Sequence, residues 1–253
     1  MASLRRLIDT HAHLSDLEDM EGVVQRAKEA GVDAIVAVGA NLKTCMATLL
    51  WSEAFPGYVF PALGIHPTKW GDDDVPSTLM FIEEHLSGCI AVGEIGLDYW
   101  SREARKSLQT REQQRRLYVQ QLKMAADRGK PASVHGRGSW RDALDLARLH
   151  GPSRVVFHWY SGPLDVLTEV LDAGYLVSAT PAAEFSRGHR AALSEAPLDR
   201  ILMETDSPVS YHGAQAEPSD LWRTLRALTE LKGASTDEVA RATTRNAERF
   251  FRI

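Results

Sequence analysis

The stretch LIDTHAHLSDL, residues 7–17, begins as an apolar run and ends in two histidines one residue apart, followed at once by a helix start. Side chains two apart on a strand share a face, so His11 and His13 project together from a strand's C-terminal end. Ser15 and Glu18 then have the S-x-x-E spacing of a capping box, and Met20, Val23, Val24 and Ala27 recur at helical spacing before Gly31. A strand that ends in polar groups and passes into an amphipathic helix reads as one unit of a parallel β/α fold.

The same unit recurs along the chain. Further apolar runs are DAIVAVGA (33–40), YVFPALGIH (58–66), CIAVGEIGLD (89–98), ASVHGR (132–137), RVVFHWYS (154–161), YLVSAT (175–180) and RILMETDSP (200–208). Continuous apolar runs are what parallel strands covered on both faces require. Gly129, Gly151 and Gly174 stand where helices should stop, and Ser235 with Glu238 repeats the capping box before the last helix. Eight β/α units in roughly 250 residues is the arithmetic of a (β/α)8 TIM barrel. A doubly wound sheet is the competitor, but no G-x-G-x-x-G follows the first strand. Nothing reads as a linker or boundary, so residues 1–253 are expected to form one domain, with GDDDVPS (71–77) and GAQAEPS (213–219) as loops within it.

Composition agrees with this. Hydrophobic content is 44%, enough to bury a full core, and the net charge of −5 argues against wholesale coating of nucleic acid. It leaves room for a basic groove or a site where metal ions supply the positive charge. The two cysteines, Cys45 and Cys89, form no C-x-x-C and suit a reducing compartment. The opening MASLRRLIDTHAH has two arginines but no long apolar region after them, and no other segment is long and apolar enough to span a bilayer. A cytoplasmic location is the expectation.

In a barrel of this type the chemistry sits at the C-terminal ends of the strands. The polar residues that interrupt the apolar runs fall there: His11, His13, His66, Glu94, Asp98, His135, His158, Glu204 and Asp206. Burying several such groups without compensation costs a few kcal/mol each, and a bound cation supplies the compensation. Imidazole and carboxylate without cysteine fit zinc, manganese, iron or a mixed magnesium site. His11, His13, Glu94, His135, His158 and Asp206 are too many for one catalytic ion, and suit two ions bridged by a carboxylate, with Glu94 the natural bridge. His85 and His150 read as surface residues on helices, whereas His189 and His212 fall in loops after strands seven and eight and are candidates to touch substrate. Glu204 reads either as a partner of a metal ligand or as a rim ion pair, and Asp98 as the same or as a loop anchor. Trp159 and Tyr160 are candidates to pack on the next helix.

These residues resemble a known family. IDTHAHL (8–14), GIHP (64–67), GEIGLDYW (93–100), VHGR (134–137), FHWYSG (157–162) and ETDSP (204–208) come in the order found in TatD-type deoxyribonucleases, among the amidohydrolase-like metal barrels. The likeness runs to TRNAERFF (244–251) in the last helix. It implies metal-dependent hydrolysis of DNA, often from the 3′ end, with two divalent ions that are magnesium, manganese or zinc. It implies that His11, His13, Glu94 and Asp206 hold one ion, that Glu94, His135 and His158 hold the other, and that His66 contacts phosphate. Two places depart from the commoner pattern. HWYSG replaces H-C-F-S-G, and Gly138 stands where an aspartate often follows the arginine.

Elementary chemistry supports a phosphodiester substrate. A metal-bound water has its pKa lowered toward about 7, and two ions stabilise attacking and leaving oxygens together. Asp206 is the expected proton acceptor and, with Glu94, the expected catalytic carboxylate. Arg137 and Trp159 are expected to bind substrate beside His66. Arg102, Arg105, Lys106 and Arg187 add basic groups, and Trp100, Trp159 and Tyr211 are candidates to stack on bases. The competing readings are a small-molecule amidohydrolase, which needs an enclosed apolar pocket and often a carbamylated lysine bridge, and a non-catalytic scaffold, which needs no open metal position.

Overall fold

Eight parallel strands follow one another around a single sheet in chain order. They are β1 Leu7–Ala12, β2 Val32–Val38, β3 Val59–Leu63, β4 Ala91–Asp98, β5 Ala132–Arg137, β6 Val155–Phe157, β7 Leu176–Ala179 and β8 Ile201–Met203. The computed structural model describes residues 6–71 and 74–253, so Arg5 of the basic N-terminus and two aspartates of the 71–77 stretch lie outside the described residues. The chain after β8 returns to β1: His11 O accepts from Asp206 N at 3.0 Å, and His13 N donates to Ser207 O at 2.7 Å. The architecture is the (β/α)8 barrel that the repeated units imply.

The helices cover the outside as α1 Met20–Glu29, α2 Leu42–Ala54, α3 Val75–His85, α4 Arg102–Lys106, α5 Leu108–Asp127, α6 Trp140–His150, α7 Leu164–Asp172, α8 Arg187–Glu195, α9 Leu221–Lys232 and α10 Thr236–Phe251. A short hairpin, β9 Ser210–Tyr211 with β10 Ala214–Gln215, crosses the rim after β8. None of the helices is long and apolar enough to cross a membrane, among the described residues. The main core lies between strands and helices, where side chains such as Ile35, Leu63, Ile95, Leu122 and Leu144 are fully buried. Each such burial contributes about 1.5–3 kcal/mol, which is what carries the polar groups placed among the strands. Helix α10 ties the first and last strands together from below: Thr244 Oγ1 donates to Arg6 O, and Asn246 Nδ2 donates to Ile201 O.

Several boundaries differ from the sequence reading. Strands β6 and β8 end sooner than their apolar runs, because side chains take over the backbone groups a longer ladder would pair. Trp159 N donates to Ser178 Oγ and Glu204 Oε1, and Thr205 N donates to Asp9 Oδ1. Trp159 and Asp206 adopt positive φ, 43° and 51°, as the chain leaves the sheet. The Ser15–Glu18 box does not form. Leu14–Asp16 make a single 3-10 turn that clears the rim, and Asp19 caps α1 by accepting from Gly22 N. Ser235 does cap α10, accepting from Glu238 N. Val75–Ser77, read as loop, form the first turn of α3, with a proline where its missing N–H costs nothing. The 213–219 stretch contains strand β10 and the start of a 3-10 turn rather than loop alone.

Strands β1 and β4 each carry an extra residue relative to the strand that follows them. Between Asp9 and Ala12, β1 spans one residue more than β2, and between Val92 and Ile95, β4 spans one more than β5. Such bulges re-aim side chains. His11 and Glu94 lie within these two steps. At Gly93, beside Glu94, an added Cβ would sit 2.7 Å from the Ser133 Cβ, so only glycine admits β5 this closely.

Candidate metal centre

The carboxylate of Glu94 stands at the middle of the strands' C-terminal ends and faces two groups of imidazoles. Its Oε2 lies 3.6 Å from His11 Nε2 and 3.3 Å from His13 Nε2. Its Oε1 lies 2.8 Å from His135 Nδ1, 2.8 Å from His158 Nε2 and 3.4 Å from His66 Nε2. Asp206 Oδ1 completes the first side, 3.7 Å from His11 Nε2 and 3.6 Å from His13 Nε2. Three donor atoms, one each from His11, His13 and Glu94, lie within 4.8 Å of one another, as do those of His66, Glu94 and His135. All six residues read as ligands in the sequence therefore converge on one basin. His66 joins them more closely than a residue reserved for phosphate requires.

These groups are buried, and their charges depend on one another. Burial works against ionisation of Glu94, yet the surrounding imidazoles, His66 and His158 foremost, hold it well below the usual carboxylate range. Burial likewise opposes charge on His158, and is outweighed by Glu94 and Glu204, which push it well up. His66 goes the other way: burial lowers it to about 4, so it is neutral at pH 7. Its Nδ1 accepts from Thr68 N at 3.1 Å, which places the ring proton on Nε2, facing the basin. Burial raises Asp206, giving it more affinity for a proton than an exposed aspartate has.

The donor set fits a divalent cation. His11 Nε2 is buried without a hydrogen-bond partner, an arrangement that costs about 1–3 kcal/mol unless a cation takes its lone pair. Imidazole nitrogens and carboxylate oxygens with no thiolate suit zinc, manganese or magnesium.

A surrounding layer holds these side chains in place, and the sequence reading missed part of it. Asp9, fully buried one bulge below His11, accepts from Thr205 N at 3.0 Å, Thr205 Oγ1 at 2.6 Å and His11 N at 3.3 Å. It thus joins β1 to the turn that carries Asp206; burial pushes its carboxyl up to about 8. Its odd-number register with His11 and His13 was the available signal. Ser133 Oγ lies 3.3 Å from His11 Nδ1. From α5, Gln114 accepts from Asp98 N and donates to Pro67 O, and Gln121 accepts from Ile65 N, pinning the loop of His66. Glu204 is a partner of the basin, with Oε1 3.3 Å from His158 Nδ1. Asp98 satisfies both readings: Oδ2 lies 3.4 Å from His135 Nε2 and 2.7 Å from Arg137 Nη2, while Oδ1 accepts from Trp100 N and Ser101 N.

A cavity of about 540 Å³ opens above the basin, with His66, Arg137, Trp159 and Asp206 in its lining. Other candidates lie elsewhere. Tyr211 is buried and donates to Thr205 O, so its ring is closed to stacking. Tyr160 is buried against Trp140 of α6. His85 and His150 end α3 and α6 at the surface side, as read. His212 is exposed in the β9–β10 turn, edge-on to Phe185 at 4.4 Å.

His189 is not in a loop: it lies in α8, fully buried, with Nδ1 2.7 Å from Tyr160 O and Nε2 accepting from Thr180 N at 3.1 Å. Protonation would destroy that acceptor, and burial lowers the ring to about 4. Because the folded value lies below the unfolded one of about 6.5, this group stabilises fully above pH 6.5. The contribution is lost as pH falls from there to about 4, and amounts to the order of 3 kcal/mol. Urea unfolding in EDTA across this range should show a shallower pH dependence for His189→Gln than for wild type. Equal slopes would contradict the assignment.

The TatD related DNase family profile matches residues 8–252. The deoxyribonuclease TATDN3 of Homo sapiens is 32% identical over 259 residues, covering 97% of this chain and 94% of its own. A 3′-5′ ssDNA/RNA exonuclease TatD of Pectobacterium carotovorum is 30% identical, covering 93% of this chain and 94% of its own. Among solved structures, the Escherichia coli TatD homologue YJJV superposes with a TM-score of 0.90 at 27% identity, covering 99% of this chain and 100% of its own.

Proposed function

The chain belongs to the TatD-related DNase family of metal-dependent hydrolases, and from that premise we propose that it cleaves phosphodiester bonds of single-stranded DNA from the 3′ end at a pair of divalent ions. One observation carries the reading: the two oxygens of Glu94 face different imidazole sets, as a bridging carboxylate must. In this proposal His11, His13, Asp206 and Glu94 would hold one ion, and Glu94, His135 and His158 would hold the other. The ions are magnesium, manganese or zinc. Once bound, they supply a water acidified toward about pH 7 and compensate charge on the phosphoryl oxygens.

The chain's own groups do the rest. Asp206, whose Oδ1 stands 3.7 Å from His11 Nε2 and 3.6 Å from His13 Nε2, takes the proton of the attacking water at its carboxylate. Neutral His66 donates from Nε2 to a phosphoryl oxygen. Arg137, half exposed and held by Asp98, presents its remaining N–H groups to the next phosphate. Trp159, half-buried against Tyr211 at the wall of the cavity, offers a ring face to a base. An amidohydrolase using a carbamylated lysine finds no support, since the lining of the cavity contains no lysine among the described residues.

The test is a stripped and reloaded enzyme. Protein treated exhaustively with EDTA should lose cleavage of 3′-labelled single-stranded DNA and regain it with magnesium, manganese or zinc. Elemental analysis of the reloaded protein should give about two ions per chain. Full activity after stripping would sink the proposal, as would hydrolysis of amides or lactones with no cleavage of DNA or RNA.

A further inference from the structure

Next to the cavity above the basin lies a second hollow of about 500 Å³, and Trp100 lines both. Trp100 lies two residues past the end of β4, with its backbone N–H held by Asp98 Oδ1 at 2.9 Å. Its indole is 59% exposed, an unusual position for so large an apolar surface. It keeps that position by lying flat on Gly138. A Cβ added there would meet the indole Cδ1 at 2.3 Å and Nε1 at 2.4 Å, and φ at Gly138 is +68°. The aspartate that often follows the arginine in the resembling family could not share this space with the indole. Gly138 and Trp100 therefore form one device.

The rest of the hollow selects its occupant. Tyr99 and Trp140 add aromatic walls. The one carboxylate in the lining, Asp142, is neutralised by Arg115 and accepts from the Tyr99 hydroxyl at 2.7 Å. Arg102, Arg105 and Lys106 of α4 begin two residues beyond Trp100 and make no ion pair among the described residues. Aromatic faces without free negative charge, on a segment that runs on into three cations, suit a flat π-faced group attached to a polyanion. A volume of this size is in the range of ligand sites.

We propose that this hollow is a nucleotide subsite, where a base stacks on Trp100 while its own strand's phosphodiester lies above the basin. The proposal rests on the nuclease reading, and Gly138 becomes the residue that permits the platform. Base–aromatic stacking is tolerant of sequence, so the subsite gives grip without base preference.

The experiment uses full-length metal-loaded protein and single-stranded oligonucleotides carrying an abasic residue at each of the three terminal positions in turn. For wild type, one position should lower kcat/KM about tenfold, mainly through KM. Trp100→Ala should show that loss on the intact strand and no further loss on the abasic one. Gly138→Ala should behave alike, and Trp100→Phe should recover most of the affinity. Equal losses on intact and abasic strands, or no sensitive position, would overturn the subsite. Fluorescence anisotropy with a phosphorothioate-blocked strand separates the two readings. Base- and Trp100-dependent binding without cleavage keeps the subsite and removes the nuclease, and cleavage indifferent to Trp100 does the reverse.

Discussion

Asp206→Asn should lower the single-turnover rate on single-stranded DNA by about a thousandfold or more while leaving the circular dichroism spectrum and Tm of the metal-free protein nearly unchanged. The amide is almost isosteric with the carboxylate, so the turn after β8 keeps its backbone bonds, Asp206 N to His11 O at 3.0 Å and Val209 N to Asp206 O at 3.0 Å. What disappears is the anionic oxygen 3.7 Å from His11 Nε2 and 3.6 Å from His13 Nε2, and with it the group that accepts the proton. Proton transfer by a positioned side chain is worth about 10²–10⁴-fold, and the lost ligand adds to that. A rate within tenfold of wild type would remove Asp206 from the reaction.

Glu94→Gln should do more, because one carboxylate serves both sides of the basin. The glutamine keeps one oxygen and replaces the other with an amide nitrogen, which cannot ligate a cation. Whichever way the amide turns, either the His11–His13 side or the His135–His158 side faces a donor instead of an acceptor. Elemental analysis of the variant should fall from about two ions to below about one per chain, with cleavage at background. A second readout is independent of activity. Added metal should raise the Tm of wild type, since a ligand bound only by the folded state stabilises it, and should leave that of Glu94→Gln nearly unmoved. Unaltered metal content would show that Glu94 is not the bridge.

Much of the site could be read before any coordinates. The six candidate ligands sit on five different runs of the sequence, and a parallel barrel gathers strand ends, so position in the run sufficed to group them. Misreadings came where neighbours in space decide. His189 and Tyr211 have the same local signature as a reactive rim residue, polar rings just after strands, yet both are buried and satisfied by backbone groups. Asp9 shares the odd-number register of His11 and His13, which places it on their face, but the three donors that converge on it come from chain as far away as Thr205. The Ser15–Glu18 pair has the right spacing for a capping box, but the chain needs those residues to clear the rim.

What the sequence by itself determined is the barrel and the roster of chemical groups. Alternation of apolar runs with amphipathic helices leaves few ways to bury both faces of every strand, and polar residues at the run ends then have one rim to share. The tertiary structure alone decided their aim. The extra residues in β1 and β4 lie where His11 and Glu94 stand, and the two oxygens of Glu94 divide the imidazoles into two sets only because the ends of four other strands present theirs around it. Trp100 owes its exposed platform to a glycine on the next strand's exit. Local sequence sets which conformations a segment favours. Distance between side chains far apart in the chain depends on packing, and no periodicity records it.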